Sequence, residues 1–210
     1  MWVIKVGGSL YDKPSLGAWL DQLACYGSGQ VVIVPGGGPF ADQVRSAQRD
    51  WGFPDSMAHR MAMQAMDQFG HMMIGLRPDL VAANSLGEIR EVLSRGQVPV
   101  WMAGRDAAGT QVPASWDITS DSLAAHLAGR LEAGRLLLVK SASSGDGPKS
   151  ARTLCREGLV DPAFMHFLTE GVFSAWVAEE GDYDQLRDML YAGVPLGVQV
   201  VLSLNGAAEA

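Results

Sequence analysis

The chain predicts an α/β protein built on a mostly parallel sheet with helices over both faces. Apolar runs of strand length alternate with amphipathic stretches of helix length along the 210 residues. Those runs are almost continuously apolar, as strands covered on both sides must be. Two of them end in glycine clusters: Trp2-Val3-Ile4-Lys5-Val6-Gly7-Gly8-Ser9 and Val31-Val32-Ile33-Val34-Pro35-Gly36-Gly37-Gly38-Pro39. Side by side at the carboxyl ends of parallel strands, such turns make one anion site with two walls of main-chain N–H groups.

The elements follow in order. A strand at 3–6 leads to a helix over 15–26, where Leu16, Trp19, Leu20 and Leu23 share one stripe. A strand at 31–34 leads to a helix over 40–51, and a second helix over 56–76 is rich in methionine. Methionine fills irregular gaps, so this helix reads as core or as a face between subunits. A short apolar run at 80–83 precedes a helix over 86–94 closed by Gly96, then a strand at 98–103. Beyond it the pattern predicts a helix over 121–131 capped by Ser120, a strand at 135–140 and a helix at 161–170. A strand at 173–178, a helix at 184–192 and a last strand at 198–203 complete the series. The segments 105–116 and 141–151, rich in Gly, Ser and Pro, read as mobile lids, and 206–210 as a frayed tail. No repeat or linker divides the chain, so 1–210 is expected to be one domain.

Composition excludes several classes. With 48% hydrophobic and 19% charged residues the chain is an ordinary globular one. A net charge of −7 supplies no basic face for nucleic acid. No apolar run suits a membrane span, and Met1 leads straight into a strand rather than a signal peptide. The two cysteines, Cys25 and Cys155, have no metal spacing and read as free thiols. A cytoplasmic protein is expected.

The glycine clusters admit several readings. A Walker A loop is absent. Gly36, Gly38 and Ala41 meet the dinucleotide spacing, but the stretch where an acid should end a second strand is the turn Trp51-Gly52-Phe53-Pro54-Asp55. A tight turn without ligand suits Gly7-Gly8 alone. It does not suit Gly36-Gly37-Gly38, because three adjacent glycines weaken structure unless a backbone must come close to something. Lys5, at its strand's end, reaches the same place. Downstream, Asp117 and Asp121 stand four residues apart at the start of a helix. Capping accounts for one acid. Two carboxylates beside a phosphate repel unless they hold cations, so Asp121 is expected to orient Lys5 and Asp117 to contact the acceptor or a metal-bound water. Arg45, on the helix after the triple glycine, either pairs with a substrate phosphate or is simply solvated. His59 is either a satisfied structural group or a further acceptor contact.

Together, Lys5-Val6-Gly7-Gly8-Ser9, Pro35-Gly36-Gly37-Gly38-Pro39-Phe40-Ala41-Asp42 and Asp117-Ile118-Thr119-Ser120-Asp121 resemble the amino acid kinase superfamily. The short length and the run from Met57 to Gly70 are most similar to its aminomethylfuran phosphate kinase branch. The resemblance implies a three-layer αβα sandwich, ATP with Mg²⁺, a homo-oligomer and an acceptor that is itself a phosphate monoester. It also implies an acceptor-binding half at 1–115 and a nucleotide-binding half at 116–210. By the same resemblance Lys5 stabilises the transferring phosphoryl group, Asp121 organises the lysines and Lys140 is the second cation. Gly7, Gly8, Gly36, Gly37 and Gly38 then supply main-chain donors, and Arg45, His59 and Asp117 contact the acceptor. Ser9, Ser141, Asp146 and Lys149 join Lys5 and Lys140 on the nucleotide; no residue is assigned to metal. The expected reaction is γ-phosphoryl transfer to a phosphate monoester, with 5-(aminomethyl)furan-3-yl methyl phosphate as the best substrate. A carboxylate kinase, an isopentenyl or nucleoside monophosphate kinase, and a non-catalytic nucleotide-binding regulatory module are the alternatives.

Overall fold

The computed structural model describes residues 1–106, 111–142, 145 and 147–202. Among them one sheet of eight strands runs in the order β3-β4-β2-β1-β5-β7-β8-β6. The strands are β1 Trp2–Val6, β2 Val31–Pro35, β3 Leu80–Ala83, β4 Val98–Trp101, β5 Arg135–Lys140, β6 Lys149–Ser150, β7 Ser174–Glu179 and β8 Val198–Val201. All pairings are parallel except β7 with β8. The helices are α1 Pro14–Tyr26, α2 Gly38–Trp51, α3 Asp55–Leu76, α4 Leu86–Ser94, α5 Ser120–Arg130, α6 Ala151–Arg156, α7 Phe164–Glu170 and α8 Leu186–Ala192. The expected three layers, helices on both faces of a mostly parallel sheet, are present. No described helix is long and apolar enough to cross a membrane.

The strand period of two decides what each side chain faces. Trp2, Ile4 and Val6 enter the core that α1 and α8 cover, with Leu16, Trp19, Leu20, Leu23, Leu186 and Met189. Val3 enters the opposite core, with Leu123, Ala124 and Leu127 of α5 and with Leu136 and Leu138 of β5. Lys5 follows Val3 by two, and Lys140 follows Leu138 by two. Both lysines therefore leave neighbouring parallel strands on the side of α5.

Helix ends obey local chemistry. α4 starts on Ser85, whose hydroxyl accepts from the Glu88 amide, and Gly96 closes it at φ +69° with Gly96 N–H on Leu93 O and Gln97 N–H on Val92 O. At α5 the expectation of a Ser120 cap fails. Thr119 is the N-cap, and its side chain makes no capping bond. The caps come from Asp161, whose Oδ2 accepts from the Thr119 and Ser122 amides at 2.9 and 3.0 Å and from Thr119 Oγ1 at 2.8 Å; Ser122 Oγ donates to Oδ1. A carboxylate 42 residues downstream of Thr119 saturates the helix start better than a neighbouring hydroxyl can. Asp161→Ala should leave these buried donors unsatisfied and lower stability by about 3 kcal/mol, read as an earlier thermal or urea midpoint.

Other differences are local. α7 starts at Phe164 rather than 161, because Asp161 serves that cap. The helix expected at 184–192 is split into a 3-10 turn Asp182–Gln185 and α8. The segment 141–151 was read only as a lid, yet it contains β6 and leads into α6, capped by Ser150 through the Thr153 amide at 3.0 Å. Residues 107–110, 143, 144, 146 and the tail lie outside the described residues, Asp146 among them.

Candidate active site

The site lies where chain order reverses across the sheet. β1 has β2 on one side and β5 on the other, and the carboxyl edge at such a switch is where open α/β sheets bind ligands. All three strands end there in the motifs that the sequence singles out. The two glycine turns interlock: a Cβ on Gly8 would stand 2.3 Å from Gly38 N, and one on Gly36 would stand 2.3 Å from Gly8 N. Gly38 has φ +53°, a left-handed conformation that favours glycine. A Cβ on Gly7 would meet Val139 O at 2.7 Å and one on Gly37 would meet Ala41 Cβ at 2.4 Å. The absence of side chains thus lets the three strand ends close on one another.

Beneath the turns sits a buried cluster of three charges. Lys5 Nζ is 2.9 Å from Asp121 Oδ1, with both side chains 5% exposed. The contact is an ion pair. Lys140 Nζ donates to Asp121 Oδ2 at 2.6 Å. Burial alone would push the Asp121 carboxyl up, but the Lys5 and Lys140 ammoniums outweigh it and hold it at about 2. Asp121 also lies in the first turn of α5, where the helix dipole favours an anion. Lys140 is pulled down to about 8, by burial first and by the nearby Lys5 charge second, against the pull of Asp121. Two cations and one anion leave this buried cluster with a surplus positive charge.

Beside it opens a cavity of about 490 Å³, lined by Gly8, Ser9, Gly37 and Gly38, by the starts of α2 and α5, and by α3. Helix N-termini and free main-chain amides both favour an anion. Of the expected acceptor contacts, Arg45 and His59 reach this cavity. Arg45 lies 4.4 Å over the Trp116 ring and 3.5 Å from Asp42, and Trp116 Nε1 is fixed on Gln48 Oε1 at 2.6 Å. His59 is nearly buried, and burial holds its ring below the usual histidine range, opposed by a hydrogen bond with the Ser115 backbone. Asp117 does not line the cavity; its side chain is exposed, its amide donates to Ser115 Oγ and its carbonyl accepts from Ala163. Ser141 Oγ donates to Ser9 Oγ at 2.8 Å, tying the end of β5 to the first glycine turn. Lys149 is instead paired with Glu157 at 2.8 Å and is not among the cavity residues. Sequence reasoning passed over Tyr11, Asp12 and Trp116, which also line the cavity, and gave Asp42 no role. The signal was a spacing: Asp12 and Asp42 each stand four residues past a turn glycine, Gly8 and Gly38. No group of three or more His, Cys, Asp or Glu among the described residues could hold a metal ion.

Glycine turns beside a buried, positively charged Lys–Asp–Lys cluster, at the carboxyl edge of a parallel sheet, have the charge and the main-chain donors to suit a multiply charged anion. Residues 1–154 match the amino acid kinase family, and the chain belongs to it. The curated [5-(aminomethyl)furan-3-yl]methyl phosphate kinase of Methanocaldococcus jannaschii is 28% identical over 141 residues. That match covers 66% of this chain and 65% of the relative, just under two thirds of its length. Among solved structures, uridylate kinase from Archaeoglobus fulgidus superposes with a TM-score of 0.73 at 16% identity, over 95% of this chain and 99% of that one. Isopentenyl phosphate kinase of T. acidophilum, in its product complex, gives 0.64 at 14% identity, over 96% and 100%. At these identities the likeness is one of fold.

Proposed function

We propose that the protein is an ATP-dependent kinase that transfers a phosphoryl group to a phosphate monoester, producing a diphosphate and ADP. The observation that carries this reading is the convergence of both glycine turns and two helix starts on one cavity, while Lys5 and Lys140 cluster on Asp121, the chain neighbour of the cavity residue Ser120. Phosphoryl transfer asks for alignment and charge stabilisation rather than covalent help. A monophosphate nucleophile is already anionic, so no strong general base is needed. In this reading the amides of Gly8, Gly37 and Gly38 hold the acceptor phosphate; those of Gly7 and Gly36, also expected as donors, are spent instead on Val139 O at 3.1 Å and Val6 O at 2.9 Å. Lys5 and Lys140 meet the oxygens of the moving phosphoryl group, and Asp121 fixes both ammoniums. Mg²⁺ would be carried on substrate phosphate oxygens, its usual mode in kinases, and would neutralise charge between the two substrates. Residues 1–115 then serve the acceptor and 116–210 the nucleotide, with Ser9 and Ser141 at the seam. The relative's name makes 5-(aminomethyl)furan-3-yl methyl phosphate the first acceptor to try.

Phosphorus NMR of the protein with Mg·ATP and a panel of monophosphates and carboxylates tests this. A new diphosphate doublet supports the reading. An acyl phosphate signal would make the enzyme a carboxylate kinase, and no ATP consumption with any acceptor would leave a non-catalytic module.

The Lys140 shift predicts a pH profile. Its ammonium loses its proton as pH rises through about 8 rather than the usual 10.5, so turnover should fall on the alkaline side from about pH 8. A Lys140→Arg variant, whose guanidinium stays charged, should lose that limb while keeping part of the rate. The readout is kcat between pH 6 and 10 for both forms.

A further inference from the structure

The cavity wall formed by Gly8, Ser9, Tyr11 and Asp12 lies between a single 3-10 turn, Gly8–Leu10, and the start of α1 at Pro14. Its amides are spent within the segment: Leu10 on Gly7 O, Tyr11 on Gly8 O and Lys13 on Leu10 O, at 3.1, 3.2 and 3.0 Å. So short a 3-10 turn has poor hydrogen-bond geometry and keeps its place through its contacts. At one end the glycine interlock fixes it. In the middle Tyr11 stands edge-on to Phe40, with ring centroids 5.6 Å apart. At the other end the contact comes from far along the chain. Glu180, one residue past β7, takes Lys13 Nζ on Oε1 at 3.0 Å and Ser15 Oγ on Oε2 at 3.3 Å. Its carbonyl accepts from the buried Trp19 Nε1 at 3.0 Å, so its backbone is held as well. The carboxylate stands at the first turn of α1, which has no side-chain cap of its own, and a helix start favours an anion.

Stability is a poor explanation of these contacts. Lys13 is 39% exposed and Glu180 29%, and ion pairs in contact with water add little to stability. β7 is also two places from β1 in the sheet, so strand pairing alone does not fix the distance from its end to the wall. We propose that Glu180 is a positioning residue of the acceptor site, holding the Gly8–Asp12 wall from the end of β7 through Lys13 and Ser15. The proposal deepens the phosphate-monoester kinase reading and rests on it for its kinetic readout. The side-chain partners of Glu180 lie at the start of α1, none of them in the Lys5–Asp121–Lys140 cluster. Glu180 should therefore tune how tightly the acceptor is held rather than how fast the phosphoryl group moves. It also ties the half proposed for the nucleotide to the wall of the acceptor cavity.

The test compares the wild type with Glu180→Ala, Lys13→Met and the double variant. In Glu180→Ala the affinity for inorganic phosphate, measured by calorimetry without nucleotide, should fall about fivefold or more. Hydrogen exchange at the Leu10, Tyr11 and Lys13 amides should quicken. With Mg·ATP and 5-(aminomethyl)furan-3-yl methyl phosphate, the acceptor KM should rise to the same degree. There kcat should stay within about twofold, the split expected when only binding is lost. The melting temperature should move by less than about 2 °C, as for an ion pair in contact with water. Lys13→Met should act alike, and the double variant should be no worse than Glu180→Ala, because the two residues form one contact. Lys13→Arg, which keeps the pair, should bind phosphate as the wild type does. An unchanged phosphate affinity in Glu180→Ala overturns the positioning role, whatever its exchange rates, and leaves the kinase reading standing. A joint fall of kcat, ATP affinity and melting temperature marks a general structural role and does the same. A wild type that binds no phosphate overturns the positioning role. Absence of turnover by the wild type with any acceptor overturns the kinase reading, and the phosphate affinities then decide the positioning role by themselves.

Discussion

Lys5→Ala should lower turnover by about three orders of magnitude or more, the scale of losing an electrostatic clamp on a moving phosphoryl group. The lysine is 4% exposed, sits on the second-last residue of a central strand and points its ammonium at the edge where three strand ends meet. Its charge acts in a site screened from water, where a cation weighs far more than at a surface. Lys140, 2.6 Å from Asp121, remains to balance the carboxylate, so the fold should persist and the loss should appear in kcat. ATP consumption in steady state and nucleotide affinity by calorimetry give the two readouts. A regulatory module with no reaction would show unchanged nucleotide affinity and no turnover in either form. A variant that turns over within about tenfold of the wild type would remove Lys5 from the chemistry.

Asp121→Asn should damage both stability and rate. It removes the one anion between two buried ammoniums, and breaking a buried charge cluster by deleting one partner typically costs about 3–5 kcal/mol. Lys140→Met is the informative contrast. It removes the more exposed cation and leaves Asp121 paired with Lys5 at 2.9 Å, so its melting point should fall less. Turnover should drop in both, since each disturbs where the phosphoryl oxygens find their cations. An Asp121→Asn protein that melts within about 2 °C of the wild type, for a domain of this size, would show that the carboxylate does not hold the lysines together.

Much of this arrangement could be read from the chain because its signals are local. Gly36-Gly37-Gly38 after a buried strand asks for a close backbone approach, and Gly8 and Gly36 provide it across two strands. Period two puts Lys5 on the face of Val3, and the first turn of α5 brings Asp121 to that face. What escaped the sequence is non-local. The cap of α5 comes from Asp161, which no window around Thr119 contains. Trp116 belongs to the cavity because Gln48 and Arg45 of another helix hold it there. Lys149 reads as a free cation in sequence, and only the fold shows that Glu157 has taken it. Asp117 carries the right spacing, yet its side chain faces solvent.

The interlocked glycines also divide the molecule into a part that tolerates redesign and a part that does not. A single methyl group at residue 8 or 36 would act as a wedge between β1 and β2, because the obstacle in each case is the other turn's own backbone rather than a side chain that could swing aside. Attempts to broaden the range of compounds this protein accepts should therefore leave the mouth of the sheet alone and start on the helical wall opposite, at half-buried Ala62, since Met63 and Met66 beside it also belong to the core.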